Sequence, residues 1–172
     1  MTNKEKIKSF AKNDYDDYPE RKAFRTLLWR DELFKDWIKD YFQLNMEEGP
    51  FKIIEDPLGE YAVDLGMIDS AGKIVGLIEV DVFFSWKDKW PSYYKWCHRL
   101  GRKTKYWINN SYPYINVTFN TNHNNAILTT REIESQYPIK DKWFKVKKMT
   151  EQVREVPISK SIKFGDWSSN EL

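Results

Sequence analysis

Cysteine is almost absent from this chain of 172 residues. Cys97 stands alone, so no internal disulfide can form, and the reading is a cytoplasmic protein kept in a reducing compartment. Histidine is nearly as scarce, and two histidines with one cysteine disfavour a His/Cys metal centre. The seven glycines are scattered and build no glycine-rich phosphate loop, which argues against a nucleotide-binding fold. No apolar run approaches the ~18 residues that a membrane helix needs, so no membrane partner is expected. The opening "MTNKEKIKSF" lacks the apolar stretch of a signal peptide. Net charge is small as well, at +2.

What is present fits a globular domain: 31% charged, 41% hydrophobic and an unusually high 16% aromatic residues. A single domain over residues 1–172 is expected, with 1–18 a loose polar arm and 138–172 a C-terminal extension. Charge is unevenly spread. Residues 87–105 carry Lys87, Lys89, Lys95, Arg99, Arg102, Lys103 and Lys105 against one acid, Asp88. A second basic stretch, "KDKWFKVKK", spans 140–148. Either patch suits phosphate binding, and either, taken alone, equally suits a solvated lysine-rich surface.

Pro19 precedes "ERKAFRTLLWRDELFKDWIKDYF", where Phe24, Leu27, Phe34, Ile38 and Tyr41 recur at helical spacing. The pattern predicts one amphipathic helix of about six turns, ended by "EEGP" at 47–50. Glu20 and Asp31 fall on its apolar line. Strands are expected at 51–54, 60–68, 73–86, 114–120 and in "AILTTREI", with a further one in "VPISKSIKF". The segment 90–110 reads as partly helical and broken near Gly101. The fold class is therefore α/β, a central mixed sheet flanked by helices.

"VDLGMIDSAGKIVGLIEVDVFF" sets Asp64, Glu79 and Asp81 into two apolar strand patterns joined by the turn "DSAG". Folded about that turn, positions whose numbers sum to about 143 face each other, which brings Asp64 opposite Glu79 and Asp81. Like charges this close raise one another's pKa unless a cation sits among them, and an all-oxygen set suits Mg²⁺ or Mn²⁺. Acids on one face of a hairpin are also what the solvent side of a sheet looks like. Against that, Val75, Leu77 and Phe83 share the acids' face.

This arrangement resembles the PD-(D/E)XK nuclease superfamily, the restriction-endonuclease-like fold. The matched motif is Asp64, then Glu79-Val80-Asp81 fifteen residues later. As an order of elements, αβββαβ, the resemblance runs from residue 19 to about 130. Val63 stands where the family often has proline, and Asp81 where it has its lysine. The resemblance implies a lysine supplied from the following segment, "GRKTK", with Lys103 the choice. It also implies Asp64, Glu79 and Asp81 as metal and catalytic residues, Arg102, Lys105 and Lys87 as phosphate contacts, and an acid from the first helix. Glu20 or Asp31 would be that acid, although salt bridges to the basic segment account for either equally well.

The function expected is metal-dependent phosphodiester hydrolysis of DNA, by a protein that pairs as a homodimer if it cuts both strands. Two competitors belong to other classes. One is a catalytically inactive nuclease-fold protein that binds nucleic acid or a protein partner, and the other an accessory protein of phage type. His98, His123 and the aromatics Trp86, Trp90, Tyr93, Tyr94, Trp96, Tyr106 and Trp107 read more simply as structural than as base or phosphate contacts.

Overall fold

The structure is a computed structural model, and it describes residues 19–44, 52–59, 62–108 and 112–165, together with residues 2, 5 and 167. Most of the arm expected at 1–18 and the whole "EEGP" stretch lie outside the described residues. Among the described residues two helices open the fold, α1 (Pro19–Arg30) and α2 (Glu32–Phe42). The single long helix expected here is interrupted at Asp31. Its backbone is extended (φ −106°, ψ 106°) and its carboxylate accepts the Phe34 N–H at 3.0 Å. A short acidic side chain that satisfies an orphan N–H starts a new helix more favourably than it continues an old one. The second helix ends where Gln43 turns left-handed, at φ 54°.

Among the described residues nine strands follow: β1 (Lys52–Glu55), β2 (Leu65–Ile68), β3 (Ile74–Val82), β4 (Trp96–Leu100), β5 (Tyr114–Phe119), β6 (Asn125–Thr130), β7 (Ile139–Phe144), β8 (Met149–Pro157) and β9 (Ile162–Gly165). Short helices α3 (Lys105–Ile108) and α4 (Arg131–Glu134) complete the regular elements, with 3₁₀ turns at Gly101–Thr104 and Ile158–Lys160. Among the described residues no helix is long and apolar enough to cross a membrane.

Six strands form a mixed sheet in the order β1-β2-β3-β5-β6-β9, and β4-β8-β7 form a smaller antiparallel one. β1 to β3 are an antiparallel meander, whereas β3 and β5 run parallel. The fold is thus α/β with a mixed sheet, as the alternation of elements predicts. The segment 90–110, expected to be partly helical, is helical among its described residues only from Gly101 to Ile108; before that, Trp96–Leu100 is strand β4, because Cys97 and Arg99 point inward together at period two. The tail is likewise more regular than an extension, since β7 and β8 build most of the second sheet.

One face of the large sheet is covered by α1 and α2. Phe24, Leu27, Phe34, Ile38 and Phe42 pack there on Leu65, Met67, Ile78, Val80, Ile115, Val117 and Leu128. Gly76 lets the end of α2 approach this closely: a Cβ built on it would lie 2.1 Å from two carbons of the Phe42 ring. Gly76→Ala is therefore expected to cost about 1–3 kcal/mol through overpacking, read as a lower urea midpoint with an unchanged slope. The opposite face carries polar side chains under the β4-β8-β7 sheet, and this is where the site lies.

Candidate functional site

The hairpin register fixes the first two site residues. Leu65 pairs with Ile78 and Gly66 with Leu77, so Asp64, one residue before β2, comes opposite Glu79. Its carboxylate takes the ladder's next position by accepting the Val80 N–H at 2.9 Å. Glu79 accepts from Lys103 Nζ at 2.7 Å, and the same ammonium donates to the Ala62 carbonyl at 2.5 Å. Both side chains are well covered, Glu79 13% exposed and Lys103 8%. Lys103 reaches them from the 3₁₀ turn that follows β4. That turn thus clamps the strand approaching β2 to the middle of β3.

Burial pushes the Asp64 carboxyl well above the ordinary carboxylate range, and the neighbouring Glu79 charge adds to the rise. The Val80 N–H and the Lys103 ammonium pull the other way without cancelling it. Two neighbouring carboxylates, one of them reluctant to ionise, could exchange a proton for a cation.

Asp81 lies on the same face of β3 and the same cavity wall, but other groups hold it. Thr118 Oγ1 donates to its Oδ1 at 2.5 Å, and Arg99 Nη1 stands 3.8 Å away. Its side chain stays 57% exposed. Behind it, Arg99 is only 1% exposed. It donates to Thr129 Oγ1 at 2.8 Å, Thr118 Oγ1 at 2.5 Å and the Asn116 carbonyl at 3.2 Å. A polar row therefore crosses the sheet from Asp64 through Glu79 and Asn116 to Thr129, following the β3–β5 and β5–β6 registers. Glu134 is buried at its end, where desolvation raises its carboxyl to about 7 against the pull of Arg99.

The side chains of Asp64, Glu79 and Asp81 line a cavity of about 360 Å³. Its far wall is the small sheet, with His98 and Leu100 from β4, Phe144 and Lys147 from the β7–β8 hairpin, and Glu151 from β8. Glu20, in the first turn of α1, is on the wall, as are Arg102 and Lys103. Arg102 Nε lies 3.6 Å from Glu151 Oε1. Asp31 belongs elsewhere: it caps α2 beside a separate hollow with Arg30 and Asn124. Lys105 is exposed next to the Tyr106 ring, and Lys87 is exposed with its carbonyl bonded to Asn120. Neither of these two lysines lines the cavity.

Among the described residues, no three His, Cys, Asp or Glu side chains form a ready-made metal cage. The donors that do meet are the Asp64 and Glu79 carboxylates, with the amide of Asn116 directly across from Glu79. The Asn116 Oδ1 is buried without a hydrogen-bond partner. Two carboxylates and an amide oxygen are hard donors, and Mg²⁺ is commonly held by one or two carboxylates with substrate phosphate and water completing the shell. The residues present fit one such cation.

Asn116 and Thr118 were not among the residues singled out in the sequence, and Arg99 entered there only as one cation of the basic stretch 87–105. Their signal is nonetheless there: "YINVTFN" places Asn and Thr two apart on an otherwise apolar strand, hence on one face. Comparison with protein-family models, curated proteins and solved structures finds no match, so what this site does rests on its own geometry.

Proposed function

We propose that the protein is a metal-dependent phosphodiesterase that cuts DNA, built on the core of the PD-(D/E)XK nucleases. The observation that carries this reading is the meeting of Asp64, Glu79 and Lys103 in one open cavity, from three separate stretches of chain. The order of elements supports it too. A helical start precedes a three-strand meander, and a crossover bearing Lys103 leads to a strand parallel to β3.

In this reading Asp64 and Glu79 hold Mg²⁺ or Mn²⁺, with Asn116 Oδ1 in reach of the same site. A bound cation supplies Lewis-acid stabilisation of the charge that develops on the phosphoryl oxygens. Lys103, fixed by Glu79 and the Ala62 carbonyl, takes the family lysine's part in this reading and directs its ammonium to the phosphate and its attacking water. Arg102 meets the adjacent phosphate. Asp81, anchored by Thr118, orients water at the rim, and Glu20 extends the acidic wall. A homodimer would cut both strands of a duplex in one encounter, and the buried free thiol of Cys97 suits the cytoplasm.

A second reading, a catalytically inactive relative that binds nucleic acid, draws on one observation. Asp81 occupies the family lysine's strand position and is engaged by Thr118 and Arg99. The two readings separate on metal. Saturating Mn²⁺ is expected to raise the melting temperature by about 5–10 °C, and Asp64→Asn to remove that rise. Supercoiled plasmid should be nicked in Mg²⁺ or Mn²⁺ and spared in EDTA. Salt-sensitive DNA binding with neither the Mn²⁺ shift nor nicking would favour the inactive relative.

A further inference from the structure

The β7–β8 hairpin ends in a turn, residues 145–148, beside the cavity mouth. From 142 to 148 it carries Lys142, Lys145, Lys147 and Lys148 and no acid. Lys142 is turned to His98, at 3.2 Å, and Lys147 lies over the Phe144 ring with Glu151 3.3 Å away. Lys145 and Lys148 are exposed and, among the described residues, enter no ion pair. Val146 between them is 96% exposed.

Lysines on an edge strand commonly guard it against pairing with another chain, and β7 is such an edge. That explanation fails for this turn, because Lys145 and Lys148 lie beyond the ladder, which closes at Phe144 and Met149. Their charge therefore protects no unpaired backbone. It does sit next to the wall of the cavity that holds Asp64 and Glu79, since Phe144 and Lys147 of the same hairpin line it. Unpaired cations spaced along a protruding turn match a ligand that presents a row of anions.

We propose that the β7–β8 hairpin is a docking arm for DNA. It grips the sugar–phosphate backbone that leads into the cavity, with Lys145 and Lys148 as phosphate contacts and Lys147 at the junction with the site. This rests on the nuclease reading for the identity of the ligand. It adds that affinity resides on the small sheet while the acids that do the chemistry reside on the large one.

The test is a fluorescence-anisotropy titration of a fluorescein-labelled DNA duplex in EDTA over a salt series, with the full chain. Lys145→Gln combined with Lys148→Asn removes two charges, and asparagine tolerates the left-handed backbone of position 148 (φ 50°). Binding should weaken about tenfold, and the slope of log K against log salt should shrink by about 1.8 for two lost phosphate contacts. The melting temperature should stay as in wild type. Lys52→Gln with Lys73→Gln, the same charge loss on exposed residues of β1 and of the β2–β3 turn, away from the cavity, should leave the slope unchanged. Equal slopes for the two double variants would overturn the arm.

The two ideas fail separately. DNA bound in a hairpin-dependent way by a protein that never nicks it would end the nuclease reading and keep the arm. Nicking and binding that ignore the hairpin substitutions would do the reverse. No binding of the duplex at all would end both.

Discussion

Exchanging Glu79 for glutamine is expected to lower metal-dependent nicking about 10³-fold or more while leaving the chain folded. The amide keeps an acceptor for Lys103 and nearly the same volume, so the clamp onto the Ala62 carbonyl survives. What is lost is one of the two anionic donors that the nuclease reading assigns to the cation. Metal stabilisation of a phosphoryl transition state is worth several kcal/mol, and about 4 kcal/mol corresponds to a factor of 10³. The measurement is single-turnover nicking of supercoiled plasmid, with circular dichroism as the folding control. A pH signature accompanies it. Glu79 helps to raise Asp64, so in the variant the Asp64 carboxyl should titrate lower, which carboxyl-resolved NMR would follow. If Asp64 holds the cation, protons compete with it there, and Mn²⁺ affinity in wild type should rise as pH climbs through that elevated pKa. A variant that nicks like wild type would sink the assignment of Glu79.

The largest effect on stability is expected at Arg99. Arg99→Met fills a similar volume but removes the guanidinium that serves Thr118, Thr129, the Asn116 carbonyl and Asp81. Breaking such a buried charged network from one side costs about 3–5 kcal/mol, because the remaining polar groups stay buried without it. Glu134 gives this a pH dependence. In the folded state its carboxyl is raised from 4.5 to about 7. Between those values the unfolded chain has released its proton and the folded chain has not, so stability falls as pH rises. Below that window the group contributes no difference. Above it the loss is complete, on the order of 3 kcal/mol. Arg99 holds Glu134 down, so in Arg99→Met the decline should continue to higher pH than in wild type. Urea denaturation of both proteins from acid to mildly alkaline pH gives the two curves, and parallel curves would contradict the coupling.

The hairpin of β2 and β3 was legible because two local signals agree. Period-two alternation identifies the arms, and "DSAG" supplies a turn, with Gly72 at φ +80° and the Asp69 carboxylate bonded to the Ala71 and Lys73 N–H groups. Register then follows by counting, and with it the meeting of Asp64 and Glu79. The helix break was hidden because Asp31 does not disturb the apolar stripe. The residue is polar and on the line, and only its cap geometry divides α1 from α2. Strand β4 was hidden for the opposite reason. In "WCHRL" an arginine takes an inward position that apolar periodicity reserves for a hydrophobe, and its partners on β5 and β6 are distant in sequence. The polar row escaped notice in the same way. Each of its members looks unfavourable on its own strand and becomes acceptable only beside the others, and nothing local announces that neighbourhood. For that reason the acids could be paired from the sequence, but not the arginine that sets Asp81 apart from them.

The strand order also sets a sequence of events. β4 departs from the crossover between β3 and β5, yet its hydrogen-bonded neighbour is β8, more than fifty residues further on. A chain under synthesis can close the β2–β3 hairpin early and so set Asp64 against Glu79. The turn carrying Lys103 gains its anchor only after residues 149–157 have emerged. Until then the two carboxylates face water without their ammonium and without the opposite wall. Assembly of this cavity is therefore deferred to nearly the last strand.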